Sequence, residues 1–135
     1  MVNYPIADML IRIKNAQAVG KEQILLPFSN VKFKIAEVLK VSGLVQDVER
    51  KKKKEKKSEQ EYLSIVLKYD EENQPAISGF KIVSRPSRHL YTSAKDIKQI
   101  RSGYGMAVIS TSKGVMSSKE AKKHNLGGEI LFEVW

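Results

Sequence analysis

A turn-rich break at Ser84-Arg85-Pro86-Ser87 divides the chain into two short parts, each with its own pattern of helices and strands. The 135 residues suit one domain or two very small ones. We therefore expect an α+β protein of two small domains, an N-terminal domain of residues 1–84 and a C-terminal domain of residues 85–135.

The N-terminal part begins with an amphipathic helix. Apolar residues recur at helical spacing over residues 6–16, and Gly20 can supply the stop. A second helix is capped by Ser29 or Asn30 and stops at Ser42-Gly43. A short strand lies between the helices, and three further strands are predicted to form a β-meander after them. The predicted strands are residues 24–26, 44–48, 62–69 and 77–84.

The C-terminal part is predicted to be mostly β with short helices. A helical turn over residues 94–100 precedes a strand at 106–109, a loop at 110–114 and a final strand at 129–135. Ser117 and Glu120 have the spacing of a capping box, which predicts a brief helix through Lys123 with Asn125 at its stop.

The net charge of +9 makes a polyanion the first candidate partner. Residues 84–135 contribute +5, from nine basic and four acidic side chains dispersed among Gly, Ser, Thr and Tyr. Residues 49–61 contribute +3, from seven basic and four acidic side chains. The lysine run from Arg50 to Lys57 is interpreted as a hairpin tip, for which solvation is the default and nonspecific phosphate contact the alternative.

Several kinds of site have no support in the sequence. The absence of cysteine excludes a disulfide framework, a cysteine zinc site and a cysteine nucleophile. His89 and His124 have no carboxylate or second histidine at the spacing of metal ligands, and Gly103-Tyr104-Gly105 lacks the third glycine of a dinucleotide fingerprint. We therefore expect no enzyme, metal or cofactor, and also no membrane span or signal peptide.

Hydroxyl groups and glycines in the C-terminal part suit RNA. Ser110, Thr111 and Ser112 can donate to and accept from a ribose 2′-OH or a base edge, although such a loop can also satisfy its own backbone. Gly127 and Gly128 can let a backbone approach RNA closely, or can simply form a strand-entry turn.

Cations and aromatic rings surround these residues. Arg85, Arg88 and Lys113, with Lys122 and Lys123, can hold phosphates without reading sequence. Tyr91 and Tyr104 can stack on bases or ribose, and partial core packing is the alternative for at least one of them.

Four segments resemble the bacterial-type family of ribosomal small-subunit protein eight (uS8). Gly-Tyr-Gly-Met-Ala-Val-Ile-Ser-Thr-Ser-Lys-Gly-Val-Met at residues 103–116 and Gly-Gly-Glu-Ile-Leu-Phe-Glu-Val-Trp at 127–135 resemble its C-terminal motifs. Residues 5–16 and 84–91 resemble its opening helix and its interdomain turn. The chain departs from the family at Ser87, where a glycine is usual, and in its longer, lysine-rich tip at residues 50–61.

The resemblance implies a structural protein of the small ribosomal subunit. It implies a primary rRNA-binding protein that docks on an irregular helix of the rRNA central domain and helps to assemble the platform. Ser110, Thr111, Ser112 and Gly114 would form the principal RNA loop, flanked by Tyr91 and by Gly127, Gly128 and Glu129.

The implied partners are small-subunit rRNA, neighbouring ribosomal proteins and the protein's own operon mRNA. The implied protein is a monomer outside the ribosome, and it is located in the cytoplasm, or in an organellar stroma if the source is a plastid. Two alternatives stay open: a translational repressor that acts mainly on mRNA, and a small enzyme, which would need a pocket with perturbed titratable groups.

Overall fold

The computed structural model describes residues 5–55, 58–98, 100 and 105–135. Contacts divide the chain into two units, Met1–Ala76 and Ile77–Trp135. Each unit combines helix with an antiparallel sheet, so the predicted α+β class with two small domains is confirmed. The division falls between Ala76 and Ile77 rather than at Ser84, because residues that follow Ile77 pair with the end of the chain. No helix in the described ranges is long and apolar enough to cross a membrane.

The N-terminal unit contains two helices and a three-stranded antiparallel sheet of order β1-β3-β2. Its elements are α1 (Pro5–Ala18), β1 (Gln23–Pro27), α2 (Asn30–Val41), β2 (Val45–Glu55) and β3 (Ser58–Leu67). The predicted meander is wrong in its third strand. The edge beside β3 is taken by β1, whereas the strand expected at residues 77–84 belongs to the other unit.

Local sequence signals account for both helices. The apolar face of α1 is buried from Ile6 to Gln17, as its spacing predicts. In α2 the Ser29 Oγ accepts a hydrogen bond from the Lys32 amide at 3.2 Å, so Ser29 rather than Asn30 is the cap. Gly43 ends the helix with a φ of +78°. The helices and the sheet share a core of fully buried side chains that includes Met9, Leu10, Ile13, Leu26, Ile35, Leu39, Leu63 and Ile65.

The lysine run lies in a strand. Residues 51–54 are exposed and lie at the distal end of the β2–β3 hairpin, as predicted, but they are strand residues paired with β3 rather than part of its turn. Lys56 and Lys57 lie outside the described residues.

The C-terminal unit is a five-stranded antiparallel sheet with short helices, as predicted. Its elements are β4 (Phe80–Ile82), β5 (Tyr91–Thr92), a 3-10 turn (Ala94–Asp96), β6 (Met106–Thr111), β7 (Gly114–Ser117), α3 (Ser118–Lys123) and β8 (Gly128–Val134). The last strand, β8, is central: one of its edges pairs with β6 and the other with β4 and β5.

Helix α3 covers one face of this sheet. The Ser117 Oγ accepts a hydrogen bond from the Glu120 amide at 3.2 Å, and Asn125 follows the helix with a φ of +56°, as the capping signals predict. Ala121 of α3 is buried in one cluster with Ala107 and Ile109 of β6. Because side chains alternate along a strand, Ser110 points to the face opposite α3.

Candidate nucleic-acid interface

The start of β8 brings together predicted site residues from three separate segments. Tyr91 of β5 and Ser110 of β6 both lie opposite Glu129, one on each side of it. In the next row Thr111 lies opposite Gly128. Because directly opposite residues in antiparallel strands share a face, Tyr91, Glu129 and Ser110 form one row on the face away from α3.

The turn between β6 and β7 is shorter than the predicted loop. Thr111 lies opposite Gly114, so Ser112 and Lys113 alone form the turn, and Ser110 and Thr111 are strand residues. The Thr111 hydroxyl donates to the Gly114 carbonyl at 2.8 Å and accepts from the Lys113 amide at 3.1 Å. That hydroxyl therefore satisfies the turn's own backbone, which was the alternative to RNA contact. Ser112 and Lys113 are exposed.

Gly127 and Gly128 are required by packing inside the unit. A Cβ atom on Gly127 would overlap the carbonyl oxygen of Thr92, and one on Gly128 would overlap that of Ser110. Because glycine has no Cβ, the backbone at the start of β8 can pass this close to Thr92 of β5 and Ser110 of β6. The close backbone approach that these glycines permit is therefore to neighbouring strands of the same sheet.

The carboxylate of Glu129 is held by a histidine forty positions away in sequence. His89 Nδ1 lies 2.6 Å from Glu129 Oε2, and the Glu129 side chain is 21% exposed. Sequence reasoning missed this pair, because the partners are distant in the chain and only the position of β8 brings them together. His124 Nε2 lies 3.2 Å from Glu120 Oε2, a pair that the spacing of four on α3 could have indicated. Within the described ranges no group of three or more His, Cys, Asp or Glu side chains could hold a metal ion.

Tyr91 is the aromatic residue of this row. It is 72% exposed, so the stacking interpretation suits it better than core packing. The segment before it is fixed by the buried Ser84, whose Oγ accepts from the Leu90 amide at 3.0 Å. The Leu90 carbonyl in turn accepts from the Ile130 amide at 2.9 Å, which ties the segment to β8. Tyr104 lies outside the described residues.

Arg85 and Arg88 flank a tight turn at the start of this segment. Their backbones exchange two hydrogen bonds of 2.9 Å, and both side chains are exposed. Ser87 stands in the turn where the resembled family usually has glycine. It does not have a positive φ, so serine fits this turn without left-handed strain.

Lys122 and Lys123 lie elsewhere. With Lys98 and Lys119 they line a groove of about 490 Å³ beside α3. Because α3 covers the opposite face of the sheet, these four lysines are separated from the row of Tyr91, Glu129 and Ser110. Arg88 and Lys113 are each three positions in sequence from a member of that row, and Arg85 shares a turn with Arg88.

Comparison with known proteins decides the family. The family model for ribosomal protein S8 matches residues 4–135. The chain belongs to the ribosomal protein S8 family. It is 45% identical to the small ribosomal subunit protein uS8 of Persephonella marina, with all of both chains covered. The uS8 protein of Mycoplasma mobile is 44% identical over all of this chain and 98% of its own, and that of Staphylococcus saprophyticus is 41% identical over 99% and 98%. Ribosomal protein S8 is a family of structural proteins rather than enzymes, as the sequence predicts.

Proposed function

We propose that this protein is a structural component of the small ribosomal subunit that binds rRNA through its C-terminal unit. The supporting observation is the row formed by Tyr91, Glu129 and Ser110, beside the exposed turn of Ser112 and Lys113. We call these five residues the C-terminal face. The protein acts inside the ribosome, next to neighbouring small-subunit proteins, and it is a monomer before it joins them.

The chemistry of the C-terminal face suits an irregular RNA helix. The wide minor groove of A-form RNA displays 2′-hydroxyls and base edges, which serine hydroxyls can meet as donors or acceptors. The Glu129 carboxylate, oriented by His89, accepts hydrogen bonds from a 2′-OH or a base amino group. The exposed Tyr91 ring offers a stacking surface for a base that an irregular helix leaves unpaired.

Basic side chains around this face supply contacts to phosphate. Arg85 and Arg88 project from a turn that is tied to β8, and Lys113 lies at the tip of the β6–β7 turn. Such contacts position a protein on RNA without reading its sequence. Gly114, Gly127 and Gly128 contribute through the backbone shape that they permit in the turn and the strand.

A binding measurement with an rRNA fragment tests this proposal. The full chain should bind a fragment of the rRNA central domain below about 1 µM at moderate salt, and a footprint should fall on an irregular helix. The same fragment with that helix made fully base-paired is the matched control and should bind more weakly. Equal affinity for both fragments would contradict recognition by this face and leave only charge-driven binding.

A secondary role as translational repressor follows if the operon mRNA offers a hairpin of similar shape. The same C-terminal face would bind both RNAs, so they should compete for the protein. A leader transcript that does not displace the rRNA fragment would exclude this role.

A further inference from the structure

The groove beside α3 is strongly basic. Lys119, Lys122 and Lys123 line it from α3, and Lys98 lines it from the segment that follows the 3-10 turn. All four lysines are exposed, and no acidic residue is among the described residues that line the groove. We call this groove of about 490 Å³ the α3 groove.

The backbone on both sides of the α3 groove is fixed to the sheet. On the α3 side, the Ser118 hydroxyl accepts a hydrogen bond from the Ala107 amide of β6 at 3.0 Å, and Ala121 is fully buried. On the other side, Ile97 is buried in the same cluster as Ala107 and Ala121. The lysines therefore extend from backbone that is already ordered, which lowers the entropy cost of binding a ligand between them.

The lysines of the α3 groove have no carboxylate partner within the C-terminal unit. All four acidic residues of this unit lie in the described ranges, and none of their carboxylate oxygens is within 4.0 Å of these lysines. The one acidic residue of α3 is Glu120, whose carboxylate lies 3.2 Å from His124 Nε2. The positive charge of the groove is therefore left for a ligand.

Lys98 has acidic neighbours at a longer range. It also borders a second cavity, of about 250 Å³, with Asp96 and Glu133. Asp96 accepts a hydrogen bond from the Ser93 hydroxyl at 2.7 Å, and Glu133 lies opposite Lys81 of β4. The charge on the Lys98 side is thus partly balanced, and the excess is concentrated on α3.

The lysines of α3 are neighbours on the helix surface. Lys119 is three and four positions before Lys122 and Lys123, a spacing that places Cβ atoms about 5–6 Å apart. Like charges at this spacing destabilise a helix. A polyanion in the α3 groove would screen this repulsion and attract each lysine, so the arrangement favours binding over the stability of the free helix.

A phosphate backbone suits the α3 groove better than a protein segment does. Protein interfaces depend on buried aromatic and aliphatic anchors and are depleted in lysine. Ile97 is 8% exposed and Ile100 packs against the core cluster, so the apolar residues of the groove offer little surface for such an anchor. Nucleic-acid backbones are instead bound by lysine and arginine through release of counterions.

We propose that the α3 groove binds the phosphate backbone of an RNA strand independently of its sequence. This strand is distinct from the one on the C-terminal face, because α3 covers the opposite face of the sheet. The C-terminal unit therefore joins two RNA segments. The choice of RNA as the polyanion rests on the proposed function, but no residue of the C-terminal face takes part.

Two charge-matched double variants test the proposal. Lys119→Gln/Lys122→Gln removes two cations from the α3 groove, whereas Lys81→Gln/Lys95→Gln removes two exposed lysines of the same unit that do not line it. Binding of the full chain to an unrelated RNA duplex of about 20 base pairs is measured from about 50 to about 200 mM salt. For two phosphate contacts the slope of log affinity against log salt should fall by about 1.5 in the groove variant, and by less than half as much in the control.

Thermal unfolding of the same variants separates binding from folding. Glutamine has nearly the helix propensity of lysine and carries no charge, so Lys119→Gln/Lys122→Gln should keep the Tm of the wild type or raise it slightly. Loss of RNA binding together with a lowered Tm would give these lysines a structural role and overturn the proposal.

Simultaneous binding tests whether the two RNA segments are distinct. The full chain saturated with the central-domain fragment should still bind the duplex, and Lys119→Gln/Lys122→Gln should lose this second binding. A fragment that displaces the duplex from the wild type would place both RNAs on one face. Tyr91→Ala should weaken binding of the fragment and leave the salt slope on the duplex unchanged, so failure of the C-terminal face does not mimic failure of the α3 groove.

Three further results would overturn the proposal. Equal loss of slope in both double variants would reduce the effect to net charge. An unchanged slope in the groove variant would mean that the α3 groove does not contact RNA. Loss of affinity for poly-glutamate without loss for the duplex would assign the groove to an acidic protein.

Discussion

Gly128 in β8 lies opposite Thr111 in β6, and its backbone runs so close to Ser110 that a Cβ atom would overlap the Ser110 carbonyl oxygen. A side chain at position 128 must push β6 away from β8. Ser110 lies opposite Glu129 in the adjacent pair of the ladder. The shape of the C-terminal face therefore depends on Gly128, and it is packing within the sheet that requires a glycine there.

Replacement of this glycine should therefore act on folding first. Gly128→Ala should lower the free energy of unfolding by about 1–3 kcal/mol, the usual cost of overpacking against atoms that cannot move away. Chemical denaturation of the full chain measures it, and RNA affinity should fall as a consequence. If Gly128→Ala kept its stability but lost RNA binding, the glycine would serve RNA approach instead.

Ser112→Ala should have the opposite profile. Ser112 is exposed in the β6–β7 turn, so its loss should leave the unfolding transition unchanged. Affinity for the central-domain fragment should fall by about 1–3 kcal/mol, the cost of a buried polar group left without a partner in the complex. The neighbouring Thr111→Val is the matched control and should lower stability by about 1 kcal/mol, because Thr111 bonds Gly114 and Lys113. A fall in stability with Ser112→Ala would give that hydroxyl a structural role instead.

Tyr91→Ala tests stacking. With 72% of Tyr91 exposed, truncation should leave thermal stability nearly unchanged and weaken rRNA binding by about 1–3 kcal/mol. Tyr91→Phe keeps the ring and should retain most of the affinity. Equal losses in the two variants would mean that the hydroxyl, not the ring, makes the contact.

Signals that act within a few residues were predicted correctly from the sequence. The Ser29 and Ser117 caps and the buried face of α1 each depend on neighbours three or four positions away. Exclusion of a cysteine-based site needed only a count of residues. The sequence groups the hydroxyls at 110–112, but only the register of β6 with β7 distinguishes Thr111, which bonds within the turn, from the exposed Ser112.

The larger errors concern pairings between strands. Residues 80–82 have the composition of a strand, but strand propensity does not determine whether the partner strand is β8 or β3. Low strand propensity of lysine predicts a turn for the lysine run, whereas the backbone ladder of β2 with β3 continues through it as far as Glu55 and Ser58. The contact of His89 with Glu129 likewise exists only because β8 closes the sheet.

The pair of Lys40 and Asp47, which links the end of α2 to β2, should make stability depend on pH at both extremes. Lys40 Nζ lies 2.9 Å from Asp47 Oδ1; this hydrogen bond lowers the pKa of Asp47 from its usual 3.8 and raises that of Lys40 from 10.5. The stabilisation is complete above pH 3.8 and below pH 10.5; it is lost as pH falls through the lowered pKa of Asp47 or rises through the raised pKa of Lys40.

Asp47→Asn should therefore lower the Tm slightly at neutral pH, since both groups are exposed, and the difference from wild type should shrink at both extremes. Lys40→Gln should reproduce this profile, and the double variant should add nothing to either single change. A Tm difference that stays constant from acid to alkaline pH would assign the effect to packing rather than to the ion pair.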